Sequence, residues 1–265
     1  MSESVAIAKM HGARNDFVVL DARRSKVGSL AHFARSVCDR RTGVGADGLI
    51  VIESSTESDV RMRTINADGS EAEMCGNGVR CAARFLDEQG EGDRIAFETA
   101  AGLIHTEVVA REPEYQVRVA MATPRIAPHS VPFLEDARFV DMGNPHVVLF
   151  RKHVDDVEIA MLATRLQTHS LFPKGTNVHV AAVEGPDRLR VRHWERGVGL
   201  TMACGTGAVA CAAAAIEKKL VQSPVEVFVP GGRLVVEWTG GPAHLTGPAE
   251  RVFDANVAVE TALAR

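Results

Sequence analysis

The chain has 265 residues, enough for one large or two modest domains with a buried core. Its 30 Lys and Arg stand against 34 Asp and Glu, interspersed rather than blocked, which argues against a nucleic-acid or anionic-membrane surface and for a small-molecule partner. With 46% hydrophobic and 5% aromatic residues it has the make-up of a globular protein packed on aliphatic side chains, and disorder is excluded.

The opening MSESVAIAKMHG lacks the basic start, apolar stretch and small-residue cleavage site of a signal peptide, so a cytoplasmic location is expected. NDFVVL (Asn15 to Leu20) is the first strand-like run, and VRMRTIN (Val60 to Asn66) alternates with the period of a half-buried strand. MCGNG (Met74 to Gly78) then leads into an apolar, Ala-containing helix, and ETAAG (Glu98 to Gly102) opens another strand. Pro113, Pro124, Pro128 and Pro132 punctuate the middle of the chain. They mark the expected boundary between a lobe of residues 1–120 and a lobe of residues 121–265, with the C-terminal strand free to cross back to the first.

From there the pattern starts again, displaced by 129 residues. NPHVVL (Asn144 to Leu149) repeats NDFVVL, LRVRHWE (Leu189 to Glu195) repeats VRMRTIN, and ACGTG (Ala203 to Gly207) repeats MCGNG, all without a gap. VPGG (Val229 to Gly232) then matches ETAAG about one residue out of step. The longest apolar run, Met202 to Ile216, is shorter than the roughly 20 residues that span a bilayer and is predicted to be a buried helix. The predicted fold is α+β, with two pseudo-symmetric lobes made by internal duplication, each a curved, mainly antiparallel sheet or barrel around a central helix.

Five cysteines (Cys38, Cys75, Cys81, Cys204, Cys211) without a CxxC pair fit neither structural disulfides nor a zinc site. Cys38, Cys81 and Cys211 are expected to be small core residues. Cys75 and Cys204 differ, because the repeat sets them at equivalent positions, each just before Gly-x-Gly at a helix start. There a thiol meets unsatisfied N–H groups and the positive end of the helix dipole. Lowering its pKa from about 8.5 to near 7 takes only about 2 kcal/mol. The N–H groups of Gly76, Asn77, Gly205 and Thr206 would cradle a carboxylate. With the halves facing each other, one thiolate would take an α-proton while the other thiol returns one to the opposite face, inverting the carbon with no pyridoxal phosphate or other cofactor. A second reading, a non-catalytic carboxylate- or phosphate-binding protein, explains the glycines but not the paired thiols.

These residues resemble the diaminopimelate epimerase family from Met10 through Phe253. The motifs are MHGARNDF (10–17), RRTGVGADGLI (40–50), NADGSEAEMCGNGVRCAARF (66–85), MGNPHVVLF (142–150), KGTNV (174–178), ERGVGLTMACGTGA (195–208) and VPGGRL (229–234). The resemblance implies interconversion of LL- and meso-2,6-diaminopimelate, a diamino dicarboxylate of lysine and peptidoglycan precursor biosynthesis, by a homodimer whose lobes close on substrate. It assigns acid/base roles to Cys75 and Cys204, and Asn15, Asn66, Asn144, Asn177, Glu195 and Arg196 to the remaining amino and carboxylate groups. It gives His146, with Glu195, the tuning of the thiols. Three positions depart from the family pattern: Arg14 where members often carry Gly, Gly48 where many carry a substrate-contacting Gln, and Leu200 where many carry Glu. Gly48 falls opposite Asn177 under the shift, so that wall of the pocket is expected to have lost a side chain or gained room. A related cofactor-independent racemase of another amino acid is the alternative this leaves open. The retained Asn66, Asn177 and Arg196 favour a distal carboxylate and hence diaminopimelate.

Overall fold

A computed structural model of the chain describes residues 4–72, 74–127, 134 and 136–259, so Pro128 and Pro132 lie outside the described residues. The protein is α+β, and its helices among the described residues are α1 (Leu30–Val37), α2 (Gly76–Asp87), α3 (Ile159–Gln167) and α4 (Gly205–Glu217). It divides into two compact units, Met1–Val119 with Pro248–Arg265, and Ala120–Gly247.

In the first unit the strand Asn15–Asp21 runs parallel to Gly48–Glu53, with Phe17 opposite Gly48. The connection between them carries α1, which starts where the Ser29 hydroxyl accepts the His32 N–H at 3.3 Å. Phe17 to Leu20 and Leu49 to Ile52 are all buried, as expected for a parallel pair covered on both faces. Val18, Leu20, Leu49 and Val51 pack on Phe33, Ala34 and Val37 of α1. The alternate residues meet α2, where a Cβ on Gly78 would lie 2.7 Å from Ile50 Cδ1. Glycine lets helix and strand approach without displacing that side chain. Gly48–Glu53 pairs antiparallel with Val60–Asn66, and the C-terminal strand Glu250–Ala258 pairs antiparallel with Ser4–Gly12 in this same unit.

The second unit repeats this register residue by residue. Pro145–Phe150 runs parallel to Asn177–Gly185 with His146 opposite Asn177, which is Phe17 opposite Gly48 moved on by 129. Val178 faces Trp194 just as Leu49 faces Ile65. α3 and α4 begin 129 residues after α1 and α2. The hairpins closing at Thr99–Gly102 and Val229–Gly232 carry the one-residue drift. Val147, Leu149, Val178 and Val180 pack on Ile159, Ala163 and Leu166 of α3, which leaves His146 and His179 on the α4 face. All of α2 except Arg84, Phe85 and Asp87 is buried, and all of α4 except Thr206, Ile216 and Glu217. Each unit is thus assembled around a helix that solvent barely reaches.

Gly78→Ala is expected to lower stability in urea by about 1–3 kcal/mol through overpacking. Ile50→Val, which removes the atom that the new methyl strikes, should recover part of that loss in the double variant. Strictly additive losses would show that the close approach is not the constraint.

Candidate active site

α2 starts at Cys75, whose extended backbone (φ −132°, ψ 111°) turns the side chain back so that Sγ accepts the Gly78 N–H at 3.4 Å. The half-buried thiol points at Asn15 Oδ1, 3.7 Å away, and Asn77 Nδ2 donates to the same oxygen at 3.1 Å. Asn15 is held in turn by its Nδ2 donating to Asp47 Oδ2 at 2.7 Å. Beneath this turn lies Arg80, with no exposed surface, donating to Gly76 O at 3.0 Å, Asn77 Oδ1 at 2.9 Å and Pro248 O at 3.1 Å. A buried guanidinium therefore braces the peptide groups beside the thiol. Arg80 and Asp47 carried no weight in the sequence, because a charged residue inside a helix or a loop there is usually solvated.

Gly48 and Asn66 are partners on adjacent strands, and Asn66 Nδ2 donates to Ser70 Oγ at 2.9 Å. A Cβ at Gly48, where a lost side chain or added room is expected, would meet Ile65 O at 2.9 Å. Arg14 adopts a left-handed backbone (φ 64°), which explains why glycine suits that position. Leu200 is an exposed residue on the short strand Gly199–Thr201.

α4 starts in the same way at Cys204 (φ −127°, ψ 112°), with Sγ accepting the Gly207 N–H at 3.4 Å. Its surroundings differ. Cys204 is only 4% exposed, Thr206 Oγ1 is 3.6 Å from Sγ, and the Glu195 carboxyl hydrogen-bonds the thiol. Burial pushes the Cys204 thiol well above its usual value, and the negative charge of Glu195 pushes it further. The Thr206 hydroxyl and Gly207 N–H pull the other way without prevailing. The helix start thus does not by itself make this thiol acidic, contrary to the sequence expectation, because desolvation outweighs two weak hydrogen bonds to sulfur. Burial likewise raises Glu195, so a carboxyl and a thiol stand side by side, each less acidic than usual.

Asn177 is a clasp: its Nδ2 donates to Pro145 O at 3.0 Å and its Oδ1 accepts the Arg196 N–H at 3.0 Å. The exposed Arg196 guanidinium spends an N–H on Lys174 O at 3.0 Å. Asn144 Oδ1 is 2.8 Å from His146 Nε2. His146 Nδ1 is 2.8 Å from His179 Nε2, and His179 Nδ1 is 2.8 Å from His193 Nδ1. All three rings are fully buried. His146 has both nitrogens engaged by Asn144 and His179, and it is His179 that abuts the first turn of α4. A Cβ on Gly207 would meet His179 Cε1 at 2.5 Å and Cys204 Sγ at 3.1 Å. His179 and His193 were legible only as departures from the repeat, standing where Ile50 and Thr64 stand in the first half.

Within the first unit the structure therefore joins Cys75, Asn77 and Asn15, and pairs Gly48 with Asn66. Within the second it joins Cys204, Thr206 and Glu195, Asn144 with His146, and Asn177 with Arg196. Two capped thiols, each beside oriented amide donors, are equipped to hold a carboxylate and to exchange protons.

The family profile described as diaminopimelate epimerase matches residues 7–127 and 138–252. The diaminopimelate epimerase of Sphingopyxis alaskensis is 45% identical over 258 residues, covering 93% of this chain and 94% of that one. That of Pseudomonas aeruginosa is 42% identical over 271 residues, covering 94% and 97%. Among solved structures, a Bacillus anthracis phenazine biosynthesis protein of the PhzF family matches with a TM-score of 0.76 at 16% identity, covering 97% of this chain and 100% of its own. A hydroxyproline epimerase from Agrobacterium vitis matches with a TM-score of 0.68 at 15% identity, covering 99% and 95%. These structures share the duplicated fold.

Burial pushes His146 and His193 down to about 3 and His179 well below its usual value. In the unfolded chain each takes a proton near pH 6.5, so as pH falls from there toward 3 the unfolded state binds more protons and stability falls, by about 1.4 kcal/mol per pH unit for each ring. His193→Thr, the residue its counterpart carries, is expected to make this decline shallower by about one ring's share. Urea titrations at about pH 7 and about pH 5 measure it, and equal slopes in variant and parent would refute neutral burial of His193.

Proposed function

We propose, from the premise that the chain belongs to the diaminopimelate epimerase family, that it is an isomerase interconverting LL- and meso-2,6-diaminopimelate by proton transfer between Cys75 and Cys204. The observation that carries this reading is the identical capping of two helices by two thiols, Sγ to the third amide N–H at 3.4 Å in both, at positions 129 residues apart.

Removing an α-proton from an amino acid leaves charge on the adjacent carboxylate, so the difficulty is electrostatic. The N–H groups of Gly76, Asn77, Gly205 and Thr206 are the donors for that charge, fixed before reaction because each belongs to a helix start. In one direction Cys204, as thiolate, takes the α-proton and Cys75, as thiol, delivers its own to the other face; the roles exchange in reverse. Glu195 supports the thiolate step: carboxylate plus thiol becomes carboxylic acid plus thiolate, and the raised pKa of the Glu195 carboxyl makes it a ready proton acceptor. No cofactor enters. Asn15, Asn66, Asn144, Asn177, Arg196 and the wall at Gly48 are the residues for the other amino and carboxylate groups, with Arg196 suited to a distal carboxylate. The reaction serves lysine biosynthesis. We take the enzyme to be a cytoplasmic homodimer; no helix among the described residues is long and apolar enough to cross a membrane.

Incubating the protein in deuterated water with LL-diaminopimelate is expected to give meso product with deuterium at one α-carbon. Cys75→Ala and Cys204→Ala should each abolish epimerisation, a loss of at least about 10³-fold. Label entering free L-amino acids but not LL-diaminopimelate would overturn the substrate assignment.

A further inference from the structure

The three buried histidines of the second unit have no counterpart in the first, where Phe17, Ile50 and Thr64 occupy the equivalent positions and fill space with apolar atoms and one hydroxyl. An enzyme gains nothing in packing from such a replacement, since burying a polar ring costs free energy unless its nitrogens are paired. Here the nitrogens pair in sequence rather than converging on a shared point: Asn144 Oδ1 with His146 Nε2, His146 Nδ1 with His179 Nε2, and His179 Nδ1 with His193 Nδ1, each at 2.8 Å. Among the described residues the remaining nitrogen, His193 Nε2, is buried and has no hydrogen-bond partner.

Those two ends decide the direction of every bond between them. A neutral imidazole has one N–H and one bare nitrogen. Asn144 Oδ1 only accepts, so His146 carries its proton on Nε2 and offers Nδ1 as acceptor. His179 must then donate from Nε2 and accept at Nδ1, and His193 must donate from Nδ1. The orphan is therefore a bare acceptor. The reverse order would leave a buried N–H without a partner, the costlier defect, and would need Asn144 turned about to donate. A cationic ring anywhere in the chain would likewise leave His193 Nε2 as a buried N–H without a partner.

We propose that His179 and His193 are positioning residues that, through His146, lock the Asn144 amide with its carbonyl inward and its NH2 outward, so that this position offers donors to a substrate carboxylate and refuses an ammonium. This rests on the proposed function for Asn144 as a substrate residue. The chain also reaches the thiol. His179 lies against the first turn of α4 beside Gly207, whose N–H caps Cys204 Sγ, so the same ring that orients Asn144 backs the turn that holds the thiol.

A glutamine at position 179 can replace the ring as a bridge, donating from its amide nitrogen to His146 and accepting from His193 with its carbonyl. Isoleucine, the residue at the equivalent position of the first half, cannot. His179→Ile is expected to raise KM for LL-diaminopimelate about tenfold, with kcat changed less, while His179→Gln stays within about threefold of the parent. Indistinguishable KM values for the two variants would overturn the proposal. Nitrogen-15 spectra of histidine-labelled parent protein at neutral pH test it without relying on any variant's folding. The expected result is Nε2–H on His146 and His179 and Nδ1–H on His193, all neutral. A proton on His146 Nδ1, or a cationic ring, would sink it. A parent protein that shows these tautomers yet leaves LL-diaminopimelate unchanged would instead count against the proposed function.

Discussion

A helix that begins inside a protein must find partners for its first amide groups, and in both units that partner is the sulfur of a cysteine. Cys75 and Cys204 accept the third N–H of α2 and α4 at the same distance and with nearly the same backbone angles. The thiol stands at each helix start because the fold needs a cap there. The glycine three residues on belongs to the same constraint. A side chain at Gly78 would strike Ile50, and one at Gly207 would strike His179, so the helix start can lie against the strand only without one. Close packing and capping come from a single Cys-Gly-x-Gly turn.

Duplication repeats the frame and not the electrostatics. Around Cys75 the neighbours are a fully buried arginine, which binds the Gly76 carbonyl and the Asn77 side chain, and Asn15. Around Cys204 they are a carboxyl, a hydroxyl and the middle ring of a histidine chain. A cation behind one turn and an acid beside the other leave two similarly capped thiols in different electrostatic surroundings.

Much of this was visible in the chain itself. The offset of 129 between NDFVVL and NPHVVL, and between MCGNG and ACGTG, carries over to strand register without change, because residues that pair across a sheet must keep both their alternation and their spacing. The helices α1 and α3 escaped notice, since LAHFARSV and IAMLATRLQ share a buried face but almost no identities. Arg80 and Asp47 escaped for a different reason: a charged residue beside a motif is usually solvated, and only coordinates reveal one sealed beneath a turn or tied to Asn15. At Gly48 only the structure shows that a Cβ would meet the Ile65 carbonyl.

The sequence by itself determined the duplicated α+β frame, the two capping cysteines and the amide donors beside them, because those depend on local spacing and on residue types that few other structures tolerate. Tertiary structure alone decided that burial raises the Cys204 thiol, where the C-terminal strand pairs, and that His146, His179 and His193 meet end to end. Burial and hydrogen-bond direction arise from residues tens of positions apart brought within 3 Å, and no local pattern records which of them will lose their water.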